Sequence, residues 1–177
     1  NKNVITYDYT RNKYGLTINA NGGTYSGNNP GELYYEQTVT IANPTRTGYN
    51  FGGWTKSGGG SLSGTTFTGG TSATTLTASW NAIKSTVSFN LNGGTGSYSN
   101  ITVEYNGVYG TLPTPTRDDY KFLGWYTLAD GGQNITSNTK VTITSSQVLY
   151  AQWEIIPTLY NKILADNNNG MSDANID

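Results

Sequence analysis

Cysteine and histidine are both absent from the 177-residue chain. The first absence removes disulfides and thiolate chemistry. The second removes the commonest general base near neutral pH and the commonest transition-metal ligand. Neither a Ser-His-Asp nor a Cys-His arrangement can therefore be built from this chain. Charge is scarce too. Asp, Glu, Lys and Arg together make up 12% of the residues, about half the ordinary share, and the net charge is −1. So small an imbalance gives no electrostatic basis for binding nucleic acid or an anionic membrane. No apolar run approaches the roughly 18 residues that cross a bilayer. The chain opens on Asn1-Lys2-Asn3 and Val4-Ile5-Thr6-Tyr7, without the pattern of a signal peptide. That start implies a leader already removed or a piece excised from something longer.

What is present is polar, uncharged and aromatic. Hydrophobic residues make up 34%, and polarity comes from Thr, Ser, Asn and Gly. There are 14 Tyr and 4 Trp. Low apolar content without high net charge does not fit a disordered chain. Abundant β-formers interleaved with turn residues predict short strands joined by tight loops.

The order within this composition is a duplication. Leu16-Thr17-Ile18-Asn19-Ala20-Asn21-Gly22-Gly23-Thr24 returns 71 residues later as Val87-Ser88-Phe89-Asn90-Leu91-Asn92-Gly93-Gly94-Thr95. Pro44-Thr45-Arg46 and Tyr49-Asn50-Phe51-Gly52-Gly53-Trp54 return at the same offset as Pro115-Thr116-Arg117 and Tyr120-Lys121-Phe122-Leu123-Gly124-Trp125. Leu76-Thr77-Ala78-Ser79-Trp80 returns as Leu149-Tyr150-Ala151-Gln152-Trp153, now 73 residues on. Three blocks in one order predict two modules, 1–81 and 82–154, followed by a short helix and polar linker over 155–177.

Each block reads as structure. Val87, Phe89 and Leu91 alternate with polar residues, as do Ile101, Val103 and Tyr105, the period of half-buried strands. Asn92-Gly93-Gly94 and Asn106-Gly107 are tight-turn signals. Pro113 and Pro115 favour an extended connector. Strict alternation puts Tyr120 and Phe122 on one strand face and Leu123 and Trp125 on the other. Gly58-Gly59-Gly60 and Gly69-Gly70 read as mobile. A module of about 70 residues without disulfides depends on a few large side chains. Trp54, Trp80, Trp125, Trp153, Phe51 and Phe122 are the expected core. Val4 to Asn12 reads as a closing or opening strand. Leu159, Ile163 and Leu164 fit a short amphipathic helix with Thr158 as its N-cap.

Taken together, Phe89-Asn90-Leu91-Asn92-Gly93-Gly94-Thr95, Pro113-Thr114-Pro115-Thr116-Arg117, Tyr120-Lys121-Phe122-Leu123-Gly124-Trp125-Tyr126 and Leu149-Tyr150-Ala151-Gln152-Trp153 resemble the Listeria–Bacteroides repeat, the family of the B repeat of internalin-type surface proteins. The resemblance is close over 87–153 and looser over 16–80, where the first copy has a Gly-rich middle and lacks a Tyr before Ala78. It implies a mainly β module of the α+β, β-grasp or ubiquitin-like kind. It further implies tandem use, in an elongated arrangement, by proteins at the bacterial cell surface or secreted from it. It brings no catalytic residues.

Candidate sites are few. Tryptophan faces can stack sugars, but recurrence at equivalent positions of both copies fits core packing better. Tyr105, Tyr109 and Tyr126 are the better candidates for ligand contact among the scattered tyrosines, which also include Tyr34, Tyr35 and Tyr98. Arg46 and Arg117 could form a ligand-binding pair, although an arginine packing its stem and bonding local carbonyls fits as well. Asp118-Asp119 is the one adjacent carboxylate pair, and neighbouring strand residues point apart. Asp166-Asn167-Asn168-Asn169-Gly170 has the oxygen ligands of a calcium loop without its spacing. The expected molecule is a non-catalytic extracellular spacer or interaction stalk with no cofactor and no metal. Its expected partners are neighbouring domains of its own chain and a host-surface protein or glycan. The rival reading is a carbohydrate- or receptor-binding module, or accessory repeats of a larger secreted enzyme or phage-tail protein.

Overall fold

A computed structural model describes residues 5–7, 10–157 and 162–166. The chain divides into two compact units, Asn1–Ala82 and Ile83–Asp177. Unit 1 contains β1 (Lys13–Asn19), β2 (Glu32–Tyr34), β3 (Thr38–Thr40), β4 (Tyr49–Gly58), β5 (Ser61–Ser63), β6 (Thr66–Thr68) and β7 (Thr74–Ala82). Its main sheet runs β2-β1-β7-β4, with a smaller sheet β3-β6-β5. Unit 2 contains β8 (Lys84–Asn90), β9 (Ile101–Glu104), β10 (Tyr120–Tyr126), β11 (Asn134–Ile135) and β12 (Gln147–Ile155), in one sheet ordered β11-β10-β12-β8-β9.

The two units share a topology. The first long strand of each lies parallel to its last, β1 on β7 from Leu16↔Thr74 to Asn19↔Thr77, and β8 on β12 from Val87↔Gln147 to Asn90↔Tyr150. The last strand then pairs antiparallel with the aromatic strand, β4 in one unit and β10 in the other. A parallel pair needs a long crossover, usually a helix. Among the described residues 10–156 there is no helix. The fold is mainly β, as the composition predicts, and no α+β-grasp helix is found between β1 and β7 or between β8 and β12. Pro44, Pro113, Pro115 and the Asn-Gly turns break any run long enough to form one. The described helical segment 162–166 lies after β12, with Ile163 and Leu164 exposed. The strand expected over Val4 to Asn12 is not found at the described residues 5–7 and 10–12, and β1 begins only at Lys13. Thr158, Leu159, Val4 and the candidate calcium loop beyond Asp166 fall outside the described residues.

Each unit closes on its own core. In unit 1 this is Leu16, Leu33, Ile41, Phe67 and Leu76, with Trp54, Tyr25 and Ile18 packed against them. In unit 2 it is Val87, Val103, Trp125, Ile135, Val141, Leu149 and Ala151 with Tyr109, supported by Phe89, Phe122 and Trp153.

The aromatic strands depart from simple alternation. Phe122 pairs with Trp153 and Gly124 with Gln152, so Leu123 is an extra residue bulged out of the ladder, 43% exposed. The same shift falls between Phe51 and Gly53 in β4. Gly53 and Gly124 take φ of 113° and 136°, a region that residues with a Cβ rarely adopt. The bulge re-phases the strand, so residues three apart share a face. Phe122 and Trp125 are therefore not on opposite faces, as alternation predicts. Their rings meet edge to face at 5.6 Å, and those of Phe51 and Trp54 at 5.4 Å.

The glycine runs of unit 1 also differ from expectation. Gly69 and Gly70 are buried, and Gly70 crosses Gly60 so closely that a Cβ on it would strike the Gly60 backbone. They form a packed crossing between loop backbones rather than a loose tether.

A Cβ on Gly124 would lie 2.8 Å from Asn134 Nδ2, the group that donates to the Trp125 carbonyl at 3.3 Å. Gly124→Ala is expected to destabilise unit 2 by about 1–3 kcal/mol through backbone strain. Leu123→Ala, at the exposed bulge, should cost less than about 1 kcal/mol. Urea unfolding followed by tryptophan fluorescence separates the two outcomes.

Candidate functional site

The repeated motifs converge on one knot in each unit. It starts at an asparagine in the left-handed region, Asn21 and Asn92, both at φ 48°. The asparagine amide N–H donates to the side chain two residues earlier, Asn19 Oδ1 at 2.8 Å and Asn90 Oδ1 at 2.9 Å. Its side-chain Nδ2 donates to the last strand, to Ala78 O at 2.9 Å and Ala151 O at 3.0 Å. Its own carbonyl accepts from arginine Nη1, Arg46 at 3.3 Å and Arg117 at 3.4 Å. Each guanidinium lies over a tyrosine ring, Arg46 4.2 Å from the centroid of Tyr49 and Arg117 3.8 Å from that of Tyr120. The closing indole completes the knot. Trp80 Nε1 donates to Ala20 O and Asn21 O at 3.1 Å each, and Trp153 Nε1 donates to Leu91 O at 3.0 Å. Both indoles lie so close to Gly23 and Gly94 that a side chain there would collide with the ring.

This arrangement gives every motif residue a task. Arg46 and Arg117 bond a local carbonyl and stack on a tyrosine. The four tryptophans form two Trp–Phe–Trp series, Trp54–Phe51–Trp80 and Trp125–Phe122–Trp153, with ring centroids 5.4–5.8 Å apart. Trp125 is 2% exposed, and its Nε1 donates to Pro113 O at 2.7 Å. The matching Trp54 Nε1 is buried and has no hydrogen-bond partner among the described residues.

Two of the candidate tyrosines, Tyr105 and Tyr126, are partly buried. The Tyr105 amide donates to Ile83 O at 2.9 Å, and Tyr126 pairs in the sheet with Tyr150 and Asn134. Tyr109 departs from the expectation of an exposed contact. It is 6% exposed in the unit 2 core, and its hydroxyl donates to Gln147 Oε1 at 2.6 Å. It lies there because Val108 and Tyr109 cross against Thr139 and Lys140, which turns the ring inward.

Three of the surface clefts are bordered by motif or candidate residues. One of about 140 Å³ in unit 2 is bordered by Asn92, Arg117, Ala129, Asp130, Gln152 and Trp153. Its polar donors are already committed. Gln152 Nε2 donates to Leu128 O at 3.1 Å and Gly131 O at 2.6 Å, and Asn92 Nδ2 also donates to Ala129 O at 3.0 Å. The other two are in unit 1, about 420 and 320 Å³, and both are bordered by Tyr35 and Thr71. Tyr35 is 46% exposed. The sequence marked it only as one tyrosine among many, and the signal that singles it out is the turn it occupies.

Acid–base chemistry finds no constellation. Asp118 and Asp119 are both exposed. Among the described residues no group of three or more His, Cys, Asp or Glu could hold a metal ion, and no helix is long and apolar enough to cross a membrane.

Burial pushes the Tyr109 hydroxyl above the usual tyrosine value of about 10, against a smaller opposing effect of its bond to Gln147. The unfolded chain then ionises at lower pH than the folded one. The stabilisation is fully present below pH about 10 and is lost as pH rises through the folded value. Tyr109→Phe should cost about 0.5–1.5 kcal/mol at pH 7, from the lost hydrogen bond. It should also flatten the decline of unit 2 stability above pH 10, measured as urea midpoints at both pH values.

Comparison with known proteins accounts for the duplication. Residues 86–152 match the Listeria-Bacteroides repeat domain. Residues 14–84 match the divergent InlB B-repeat domain. No curated protein matches the chain. The two matched stretches coincide with the two strand systems and with the two copies of the Asn–Arg–Trp knot. The chain thus carries two tandem repeat domains, a divergent InlB B-repeat over residues 14–84 and a Listeria-Bacteroides repeat over residues 86–152.

Proposed function

We propose that the chain is a non-catalytic, force-bearing spacer, a stalk segment of a protein secreted to or anchored at the bacterial cell surface. The observation that carries this reading is the parallel pairing of first and last strands in each unit. A pull on the two ends of a unit draws β1 and β7, or β8 and β12, past one another along their length. The ladder bonds between them are evenly spaced, so the load falls on them together rather than one after another. A core of its own in each unit lets each resist separately, as repeats with local contacts do.

Family membership supports the surface setting, and the lack of a catalytic constellation is compatible with it. In this reading the partners are the neighbouring domains of the same chain, which the stalk holds at a distance from the wall and presents to a host-surface protein or glycan.

The units should not be equally strong. A buried N–H without a partner costs about 1–3 kcal/mol, and Trp54 has one where Trp125 bonds Pro113 O. Pulling the chain by its two ends is expected to give two separate unfolding events of nearly equal length gain. The weaker is unit 1, and Gly124→Ala should lower only the stronger. A single event, or smooth extension without peaks, would refute the spacer reading.

A further inference from the structure

The turn Tyr34–Gln37 of unit 1 is built differently from its counterpart in unit 2, although both close in the same way. Gln37 N donates to Tyr34 O at 3.1 Å, and Gly107 N donates to Glu104 O at 3.0 Å. The third turn residue has positive φ in both, 63° at Glu36 and 68° at Asn106. Asparagine is at home at such a position; glutamate is not. A residue held against its preference is a reason to look for a use of its side chain. Glu36 is exposed, and among the described residues no hydrogen bond or ion pair reaches its carboxylate.

That carboxylate borders the 420 Å³ cleft with Tyr35, Ser61, Thr68 and Thr71. The floor is Gly60, Gly69 and Gly70. At the matching crossing of unit 2, Val141, which exchanges backbone bonds with Asn106 and Gly107, is fully buried in the core. The backbone around Tyr35 is fixed from both sides. Arg11 Nη2 donates to Tyr35 O at 2.6 Å, and Gln37 Oε1 accepts from Tyr34 N at 3.0 Å. The Tyr35 hydroxyl has no hydrogen-bond partner among the described residues. Tyr35 also borders the second cleft of about 320 Å³, beside Arg11, Asn12 and Tyr14.

We propose that this groove of unit 1, centred on Tyr35, is a binding site for a neutral oligosaccharide. The ring offers a flat apolar face of the kind that pyranose C–H groups cover. Glu36 can accept from two sugar hydroxyls at once, and three protein hydroxyls can either donate or accept. The two clefts together carry one carboxylate and one guanidinium, Glu36 and Arg11, so no net charge favours an anionic sugar. Two clefts that share Tyr35 and Thr71 suit a chain of several residues better than a single sugar. The site is independent of the spacer role, since a unit can resist a pull whether or not it binds a glycan.

The test is titration of the full 177-residue chain, 15N-labelled, with four neutral linear tetrasaccharides: β1,4-glucose, β1,3-glucose, β1,4-N-acetylglucosamine and α1,4-glucose. A hyaluronan tetrasaccharide serves as the anionic control. At least one neutral member should shift amides of Tyr35, Glu36, Ser61 and Thr71 while leaving unit 2 unmoved. Tyr35→Ala should weaken that binding tenfold or more, and Glu36→Gln several-fold. Glu36→Asn should weaken binding similarly while raising the unfolding midpoint of unit 1, because asparagine suits the turn. The proposal fails if no neutral member moves these amides at millimolar concentration. It also fails if hyaluronan binds as well as the neutral chains, or if Tyr35→Ala binds unchanged.

Discussion

A strand sends residues three apart to opposite faces, and both units depend on that rule being broken at Gly53 and Gly124. The positive φ at each glycine lets one residue bulge out, and the phase of the strand shifts by one. Phe and Trp then meet on the same side, and the closing Trp of the neighbouring strand packs on the Phe. Without the bulge, Trp125 would leave the core it now fills, and the sheet would lose its largest fully buried side chain. A unit of this size has few other sources of stability, having no disulfide and little charge.

The knot at Asn21 and Asn92 ties that aromatic layer to the start of each unit. One asparagine side chain bonds the last strand, one arginine bonds the asparagine carbonyl, and one indole covers the following glycine. These are the residues of the blocks that recur in the sequence. The recurrence is thus explained by mutual dependence, since each group satisfies a polar atom that its neighbours bury. The arginines fit the same logic: stacked on Tyr49 and Tyr120, they are part of the fold before they are available to anything else.

Alternation and matched blocks made the duplication and the strand content legible. Alternation misplaced Trp125 relative to Phe122, because a bulge is one residue of extra length and leaves no mark on hydrophobic spacing. The glycine before each tryptophan is the trace it does leave. Tyr109 is a candidate for ligand contact by sequence, yet a bridge between Val108 and Lys140 turns its ring inward. Pairings of that range cannot be derived from local pattern. Gly69 and Gly70 show the same limit: composition reads such a run as loose, while the contact that requires it, Gly60, lies on another loop. The groove at Tyr35 was hidden for a related reason, since Ser61, Thr71 and Glu36 meet only after β3, β5 and β6 have formed their sheet.

The two units amount to an internal comparison of one design. Unit 2 resolves its local demands in the favoured way: Trp125 N–H finds Pro113 O, asparagine occupies the left-handed turn position, and Val141 fills the core at the loop crossing. Unit 1 leaves each demand less well met, with Trp54 N–H unpartnered among the described residues, glutamate in the turn and glycines at the crossing. Sequences that fold well are locally consistent, and departures from consistency tend to gather where something other than stability is being served. Two of the three departures, Glu36 and the glycine crossing, border the same cleft. A stalk assembled from two equal units would have no reason to place them together, whereas a stalk with one specialised unit would.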